Sequence, residues 1–409
     1  MKPPSPPPAL YAQIQALPAS GPLLRGLGDA TGVYLVGGAV RDLLLGGQPT
    51  DLDLVVEGEA STVAARLGAT IRTHDRFGTS TVLADGFTYD IARARRECYR
   101  RPGALPDVCP ANLAVDLTRR DFTVNAIAIA LGQPTPGELL AVPAALDDLS
   151  AGQLRVLHDA SFGDDPTRLL RMVRYQSRLR FAIEPHTLVL ARRAVTDGAI
   201  ATVSGARVGT ELRILAREPD PLLGFACLRA LALDAAIDPR FGISDRAVAQ
   251  RAMAMLTPDG RRDRLVLALA SRELPAADLR GLLTALAFDA GDRDAIVVAA
   301  GGADALASAL ATARRPSQVA DAVRHAGGGV EVVALAGALG PARAAEKWLA
   351  QLRHVRLEID GRDLLDAGVR EGPAVGRGLR AALNAKLDDR VSGREAELAA
   401  ALCAATGSG

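Results

Sequence analysis

Aromatic residues are scarce in this chain of 409 residues: Phe, Tyr and Trp make up 3 %. Stacking on aromatic rings is therefore not the main way it could hold a nucleic acid. Lysine is scarcer still, with only Lys2, Lys347 and Lys386, so almost every cation is an arginine, a planar bidentate donor to phosphates and base edges. The four cysteines, Cys98, Cys109, Cys227 and Cys403, are widely spread. None has the close spacing of a zinc site, and no disulfide framework is indicated. No charge of one sign dominates: the formal net charge is +1, so any basic path must come from local clustering. The proline-rich start, Met1 to Pro8, lacks a hydrophobic signal core. Later apolar runs are broken by Arg, Asp or Gly before reaching membrane-spanning length. These absences lead to the expectation of a reducing cytoplasm and no membrane, and nothing in the chain implies a stable protein partner.

What is present is an ordinary globular composition, 49 % hydrophobic and 23 % charged, long enough for two to four packed units. From Val33 to about Ala130, strands alternate with helices and turns. Val33–Val36 and Leu52–Val56 read as strands, and Val40–Leu45 as a helix start closed by Gly46-Gly47. Thr79–Leu83 and Phe87–Ile91 read as a hairpin around Asp85-Gly86. Val124–Leu131 fits strand or helix by pattern alone. Beyond about residue 150, Ala, Leu and Arg recur at helical spacing. The stretches 166–182, 187–196, 206–217, 245–256 and 341–353 are predicted as amphipathic helices. Breaks are predicted near Glu218–Pro221, Thr257–Gly260, Gly301–Gly302 and Gly327–Gly329. The fold class is α+β, an α/β head followed by an all-helical remainder.

The first chemical signal is Gly37-Gly38-Ala39-Val40-Arg41-Asp42, followed by Asp51-Leu52-Asp53. Side chains alternate along a strand, so Asp51 and Asp53 share a face. Two neighbouring carboxylates repel unless a cation lies between them, and hard oxygen ligands suit Mg²⁺. The glycines let the backbone approach a triphosphate, and the helix start after them offers N–H donors to anions. Taken alone, an Asp-x-Asp is more often a solvated strand. Asp90, on Phe87–Ile91, is a candidate third carboxylate if that strand lies alongside.

The second cluster is Arg119-Arg120-Asp121-Phe122-Thr123-Val124-Asn125-Ala126. Arg120 is placed to bind a phosphate oxygen, and Asp121 and Asn125 to hold ribose hydroxyls. The bland alternative is a helix start capped by Asp121. The third cluster runs from Asp164-Asp165-Pro166-Thr167-Arg168 to Arg171 and Arg174. Pro166 fits a first helical turn, and the arginines form a slanting stripe three residues apart, which in isolation could equally be a solvated face. Cytosine and adenine each present an amine donor beside a ring-nitrogen acceptor. A carboxylate with a guanidinium, such as Asp165 and Arg168, matches that edge and mismatches uracil and guanine.

With these residues in place, the chain resembles the class II (bacterial and eukaryotic type) tRNA nucleotidyltransferase and poly(A) polymerase family. The resemblance rests on Leu35 to Asp42 with Asp51-Leu52-Asp53, on Arg119 to Ala126, and on Asp165-Pro166-Thr167-Arg168 continuing to Arg174. The family usually has Glu-Asp where this chain has Asp164-Asp165. It implies metal carboxylates at Asp51 and Asp53. It implies triphosphate or base contacts at Gly38, Arg41, Arg120, Asp165, Arg168, Arg171 and Arg174. It further implies Mg²⁺, CTP and ATP as substrates, a tRNA 3′ end as acceptor, and template-independent CCA addition. A-adding, CC-adding and poly(A)-adding activities are the alternatives in the same class, and a non-catalytic RNA-binding relative is the alternative outside it.

The resemblance is specific over residues 30–215. The segment 96–106 resembles a flexible loop of the family, and Ser204 to Leu212 a bracing helix in which Arg207 and Glu211 form a structural ion pair. Around Ala141–Leu149 the usual glycine-rich turn is missing. Gly361 to Leu365 resembles a helical tail element. The implied layout is a polymerase-β-like nucleotidyltransferase head at 1–148, a base-reading neck at 149–218, a body at 219–330 and an RNA-binding tail at 331–409, arranged like a seahorse. Some members add a His-Asp phosphohydrolase domain. Here His74-Asp75 and His158-Asp159 lie in or beside the head, and no such domain is expected.

Overall fold

The computed structural model describes residues 7–74 and 78–407. The first six residues of the proline-rich start, and Asp75 of the His74-Asp75 pair, lie outside the described residues. The chain packs as two compact units, one of residues 1–211 with 230–236, the other of residues 212–229 with 237–409.

The first unit opens with helices α1 (Pro7–Ala16) and α2 (Ser20–Leu27). The order then runs β1 (Val33–Val36), α3 (Gly38–Leu44), β2 (Leu52–Val56), α4 (Ala60–Leu67) and β3 (Ala69–His74). Next come β4 (Thr79–Ala84), β5 (Phe87–Arg93), β6 (Arg95–Cys98), β7 (Asp107–Pro110) and α5 (Leu113–Thr118). After β8 (Ile127–Ala130) and β9 (Leu139–Ala141), helix α6 (Ala145–Ala151) leads to β10 (Gln153–Leu154) and α7 (Ser161–Asp164). The unit continues through α8 (Thr167–Leu179), β11 (Ala182–Ile183) and α9 (Pro185–Thr196) into α10 (Gly205–Arg217).

Seven strands form one mixed sheet in the order β3-β4-β5-β2-β1-β8-β9, with β2 and β5 parallel and the other neighbours antiparallel. The alternation in Leu52-Asp53-Leu54 decides the orientation of β2, since burying both leucines turns Asp53 to the open face. Val36, Val55, Ala94, Leu113, Leu117, Ala126 and Ala128 form an apolar cluster, in which Val55 lies on the same face of β2 as Asp53. The hairpin at Asp85-Gly86 has positive φ at both residues (48° and 85°), as a tight two-residue turn requires. The ambiguous stretch 124–131 resolves into a short 3₁₀ turn, Thr123–Asn125, and the strand β8, buried along its whole length. The predicted helix 166–182 ends earlier, because Arg180 is left-handed (φ 59°) and the chain turns into β11.

The second unit is helical. It includes α11 (Pro221–Ala230), α13 (Arg246–Met255), α14 (Arg262–Ala270), α15 (Ala276–Ala285) and α16 (Ala290–Thr312), with the short α12 (Leu233–Ile237) falling at the boundary between the units. It continues with α17 (Pro316–His325), α18 (Val330–Leu339), α19 (Ala342–Ala350), α20 (Gly361–Asp366), α21 (Pro373–Leu387) and α22 (Arg394–Thr406). Three of the four predicted breaks fall between helices, but Gly301 and Gly302 lie inside α16. A Cβ at Gly302 would stand 3.5 Å from Val332 of α18, an ordinary contact, so the helix runs on through both glycines. By length and composition α16 could cross a membrane, yet its buried residues pack on α14, α15 and α18.

Candidate active site

A cavity of about 660 Å³ in the first unit brings the three sequence clusters together. Gly37, Gly38, Arg41, Asp51, Asp53, Arg120, Asp121, Asn125, Asp165, Arg168, Arg171 and Arg174 all line it; of the candidate site residues read from the sequence, Asp90 alone lines an adjoining cavity instead.

Gly37 turns the chain from β1 into α3 with φ 69°, and a Cβ there would come within 3.1 Å of the Arg120 guanidinium. The turn therefore needs glycine twice over, for its conformation and for its clearance. Arg41 follows one helical turn on and is 1 % exposed. Its Nη1 donates to Asn125 Oδ1 at 2.6 Å and its Nε to Asp42 Oδ1 at 2.8 Å.

Asp51 and Asp53 flank Leu52 at the mouth of β2. Among the described residues neither makes a hydrogen bond or ion pair. Burial pushes the Asp53 carboxyl up, and Asp90 and Asp51 push it further, while Arg120 opposes them. Such a carboxylate is electrostatically short of a cation. No group of three or more His, Cys, Asp and Glu among the described residues is placed to hold an ion. A pair of carboxylates whose remaining ligands come from water and substrate phosphates is what a small hard cation accepts. The donor set thus fits Mg²⁺. Asp90 does stand in register beside Asp53, but its Oδ1 accepts from the Thr81 hydroxyl at 2.6 Å.

Arg120 donates from Nη2 to the buried Asp116 at 2.9 Å. Its Nε is buried with no partner, and burial lowers the pKa of the guanidinium. Arg120 thus lines the cavity with one buried donor unsatisfied.

Asp121 is not the cap of an α-helix. Its Oδ1 accepts from Phe122 N and Asn125 Nδ2, both at 2.9 Å, and its Oδ2 from Arg171 Nε at 2.8 Å and Nη2 at 2.6 Å. Burial alone would raise this carboxyl, but Arg171 and Asn125 outweigh it and hold it well below the usual carboxylate range.

The Arg168 N–H donates to the Asp165 carbonyl at 3.0 Å, but the two side chains bond other groups. Asp165 Oδ1 accepts from Arg207 Nη2 at 2.7 Å and from Thr167 Oγ1 at 2.6 Å. Arg168 donates to Ser161 Oγ and to the Arg119 carbonyl, each at 2.7 Å. Each of the two side chains is thus fixed by other groups, and both residues line the cavity. The expected Arg207–Glu211 ion pair is replaced by tertiary partners: Arg207 holds Asp165, and Glu211 accepts from Arg174 at 3.2 Å.

The sequence reading missed Tyr175. Its ring has the guanidinium carbons of Arg174, Arg41 and Arg171 at 4.9, 5.4 and 5.8 Å, and Phe122 packs edge-on at 5.8 Å. Its place one turn after Arg171 was the available signal. Asp116 and Glu97 were also missed. Asp116 binds Arg119 and Arg120, and Glu97 binds Arg95, Arg119 and Tyr99. Nothing local marks either as a buried anchor. The segment resembling a flexible loop forms the β6–β7 hairpin, tied at its tip where Arg207 donates to the Gly103 carbonyl at 3.3 Å. Gly103 has φ 69°, and a Cβ there would lie 2.3 Å from Thr202 Oγ1.

Residues 33–155 match the family described as Poly A polymerase head domain. An A-adding tRNA nucleotidyltransferase of Halalkalibacterium halodurans is 42 % identical over 221 residues, 51 % of this chain and 52 % of that protein. A CC-adding tRNA nucleotidyltransferase of Deinococcus radiodurans is 39 % identical over 219 residues, 52 % of this chain and 58 % of that protein. The chain thus spans little more than half the length of these curated relatives, and less of some others. The structure of a Thermotoga maritima CCA-adding enzyme complexed with tRNA superposes with a TM-score of 0.76 at 27 % identity, covering 98 % of this chain and 99 % of that one. These matches bear out the resemblance read from the sequence and the α/β head followed by helices.

Proposed function

From the kinship of this chain with the class II tRNA nucleotidyltransferases and poly(A) polymerases, we propose that it adds C and A nucleotides to the 3′ end of tRNA without a nucleic-acid template. The observation that carries the reading is one cavity lined by two unpartnered carboxylates, an arginine with an unsatisfied buried donor, and a carboxylate and guanidinium each fixed by other groups. In this reading a nucleoside triphosphate lies with its phosphates against Gly37, Gly38 and Arg120 and its base against Asp165 and Arg168. Mg²⁺ held by Asp51 and Asp53 supplies charge neutralisation at the phosphates and activation of the attacking hydroxyl. The acceptor 3′-oxygen forms a bond to the α-phosphorus, the bond to the bridging oxygen breaks, pyrophosphate leaves, and the hydroxyl proton passes to solvent.

Arg41, Arg171 and Arg174, clustered on Tyr175, set the positive field of the cavity. Asp121 and Asn125 line the place of the ribose, and a hydroxyl reaching Asp121 displaces one of its bonds from Arg171. Asp165 accepts from the exocyclic amine shared by cytosine and adenine, and Arg168 donates to the adjoining ring nitrogen. The division into head, neck, body and tail, with tRNA along the helical part, belongs to the same proposal, as does a cytoplasmic location.

Full CCA addition is the primary reading. A-only addition is the second, favoured by the 41–42 % identity to several A-adding relatives. Sizing the products on tRNA ending at the discriminator base, at C and at CC separates them. Extension of all three to CCA supports the first reading, and extension of the CC form alone supports the second. No extension of any acceptor with CTP, ATP and Mg²⁺ overturns both.

A further inference from the structure

Tyr175 stands four residues after Arg171 in α8, the spacing at which two side chains meet on one helix face. Its ring is held by Phe122 edge-on and by the guanidinium groups of Arg41, Arg171 and Arg174. The residue is 8 % exposed and lines the main cavity. Its oxygen accepts from Arg171 Nη2 at 3.1 Å. Among the described residues the phenol proton itself has no acceptor. Burial pushes the phenol pKa up and the nearby Asp121 adds to it, against the three arginines, so the hydroxyl keeps its proton.

The neighbouring carboxylate is full. A carboxylate offers about four lone-pair positions. On Asp121, Phe122 N and Asn125 Nδ2 occupy Oδ1, and Arg171 Nε and Nη2 occupy Oδ2. A sugar hydroxyl can enter only by dislodging one of these donors. A buried donor left bare costs about 1–3 kcal/mol, and that cost decides which bond yields. The Phe122 amide belongs to the adjoining backbone and cannot move away. Asn125 is oriented by Arg41, which donates to its Oδ1 at 2.6 Å, and among the described residues its Nδ2 has no other acceptor. Arg171 Nη2 differs from both, because it already divides itself between Asp121 Oδ2 at 2.6 Å and the Tyr175 oxygen at 3.1 Å. Released from the carboxylate, it still has the phenol. Since the two oxygens share one nitrogen, they also stand within the span of a single bridging hydroxyl.

We propose that Tyr175 is the residue through which the site tells ribose from a deoxy sugar. A ribose hydroxyl of the incoming nucleotide donates to Asp121 Oδ2, Arg171 Nη2 falls back on the Tyr175 oxygen, and the phenol proton turns to the oxygen of that same hydroxyl. With a deoxy sugar, Arg171 stays on Asp121 and no group is stranded. The preference is therefore limited to what the hydroxyl gains, and the deoxy form is disfavoured without being excluded. The inference rests on the proposed nucleotidyl transfer and adds a sugar-reading residue to it.

The test measures nucleotide affinity by calorimetry, with Mg²⁺ and without RNA, on the full chain and its Tyr175→Phe variant. The ligands are ATP, CTP and the 2′-deoxy and 3′-deoxy forms of each, so that the two hydroxyls are told apart. The unaltered protein should bind the ribonucleotide roughly tenfold more tightly than one of the two deoxy forms, the scale of one or two net hydrogen bonds. Tyr175→Phe should bind the ribonucleotide roughly tenfold more weakly and that deoxy form as well as the parent does. The melting temperature without nucleotide should hardly move, because Arg171 keeps both bonds to Asp121. An equal loss for all sugars, an undiminished preference in the variant, or a parent that binds ribose and deoxy forms alike each overturns the proposal while leaving the transfer reading intact. A protein that shows the Tyr175-dependent sugar preference but extends no tRNA 3′ end supports Tyr175 as the sugar reader and overturns the transfer reading alone.

Discussion

The two ends of the main cavity are built on opposite electrostatic plans. At the β2 end, Asp51 and Asp53 have no hydrogen bond or ion pair, and the Asp53 carboxyl is pushed up by burial and by its acidic neighbours. At the α8 end, Asp121 has all its acceptor positions filled and its carboxyl is held low. Both are aspartates facing the same space. The difference teaches that one end is left incomplete so that it can take up a ligand, while the other is completed so that it can hold a shape.

The largest test of this contrast falls on the incomplete end. Asp51→Asn and Asp53→Asn should each lower nucleotide incorporation about 10³-fold or more, the scale of several kcal/mol of lost charge stabilisation. The metal-free melting temperature of Asp53→Asn should not fall and should rise slightly at neutral pH. The sign follows from the raised carboxyl: the metal-free fold loses stability as pH rises through that raised value, and the asparagine removes the loss. Mg²⁺ binding displaces the proton, so metal affinity followed by calorimetry should increase with pH over the same interval. A lowered metal-free melting temperature in Asp53→Asn would erase the contrast.

The completed end should respond in the reverse manner. Asp121→Ala strands Arg171 and Asn125 and should cost about 1–3 kcal/mol of stability, the range for leaving such partners unpaired, because the Arg171 side chain is 35 % exposed. Because the Asp121 carboxyl is depressed, its stabilisation is present above the unfolded aspartate pKa, roughly 4, and is lost as pH falls through the folded value. Denaturant melts at neutral and acid pH check both statements, and a melt unchanged from the parent rejects them.

Between these extremes lies the reader. Asp165→Ala and Arg168→Ala should each reduce discrimination against UTP and GTP by roughly 10- to 100-fold in kcat/KM, from a mismatch cost of ~1–3 kcal/mol. Arg120→Ala should weaken all four triphosphates alike. Full rejection of UTP and GTP in both reader variants would make the pair a structural feature only. The smallest effect is expected at Arg207, which touches the Asp165 oxygen rather than the base. Arg207→Ala should relax discrimination only a few-fold, about 1 kcal/mol or less, and Arg207→Lys should restore part of it.

The chemistry of the site was legible because it is written in local spacings. The strand period placed Asp51 and Asp53 on one face, and the stripe of Arg168, Arg171 and Arg174 carried the cavity side of α8. What stayed hidden is tertiary. The i, i+4 spacing pointed Arg207 at Glu211, yet each found a stronger partner on another element. Asp116 looked like one more polar residue on a short helix, and only folding shows it buried beneath Arg119 and Arg120. Gly301 and Gly302 read as a break, yet both lie inside α16, where a helix penalty of about 1 kcal/mol per glycine is outweighed by the packing of that helix on α14, α15 and α18.

One bond at the reader has a wider reach. The carbonyl of Arg119 accepts from Arg168, and the peptide that contains that carbonyl carries Arg120 on its far side. In the proposed function, base choice and phosphate grip are therefore mechanically in series. A base that fails to seat on Arg168 and swings its guanidinium aside tugs on the same rigid peptide plane from which the phosphate-holding side chain extends. If that reading holds, error at one end of the nucleotide is felt at the other, and a wrong base should be penalised in turnover as well as in binding.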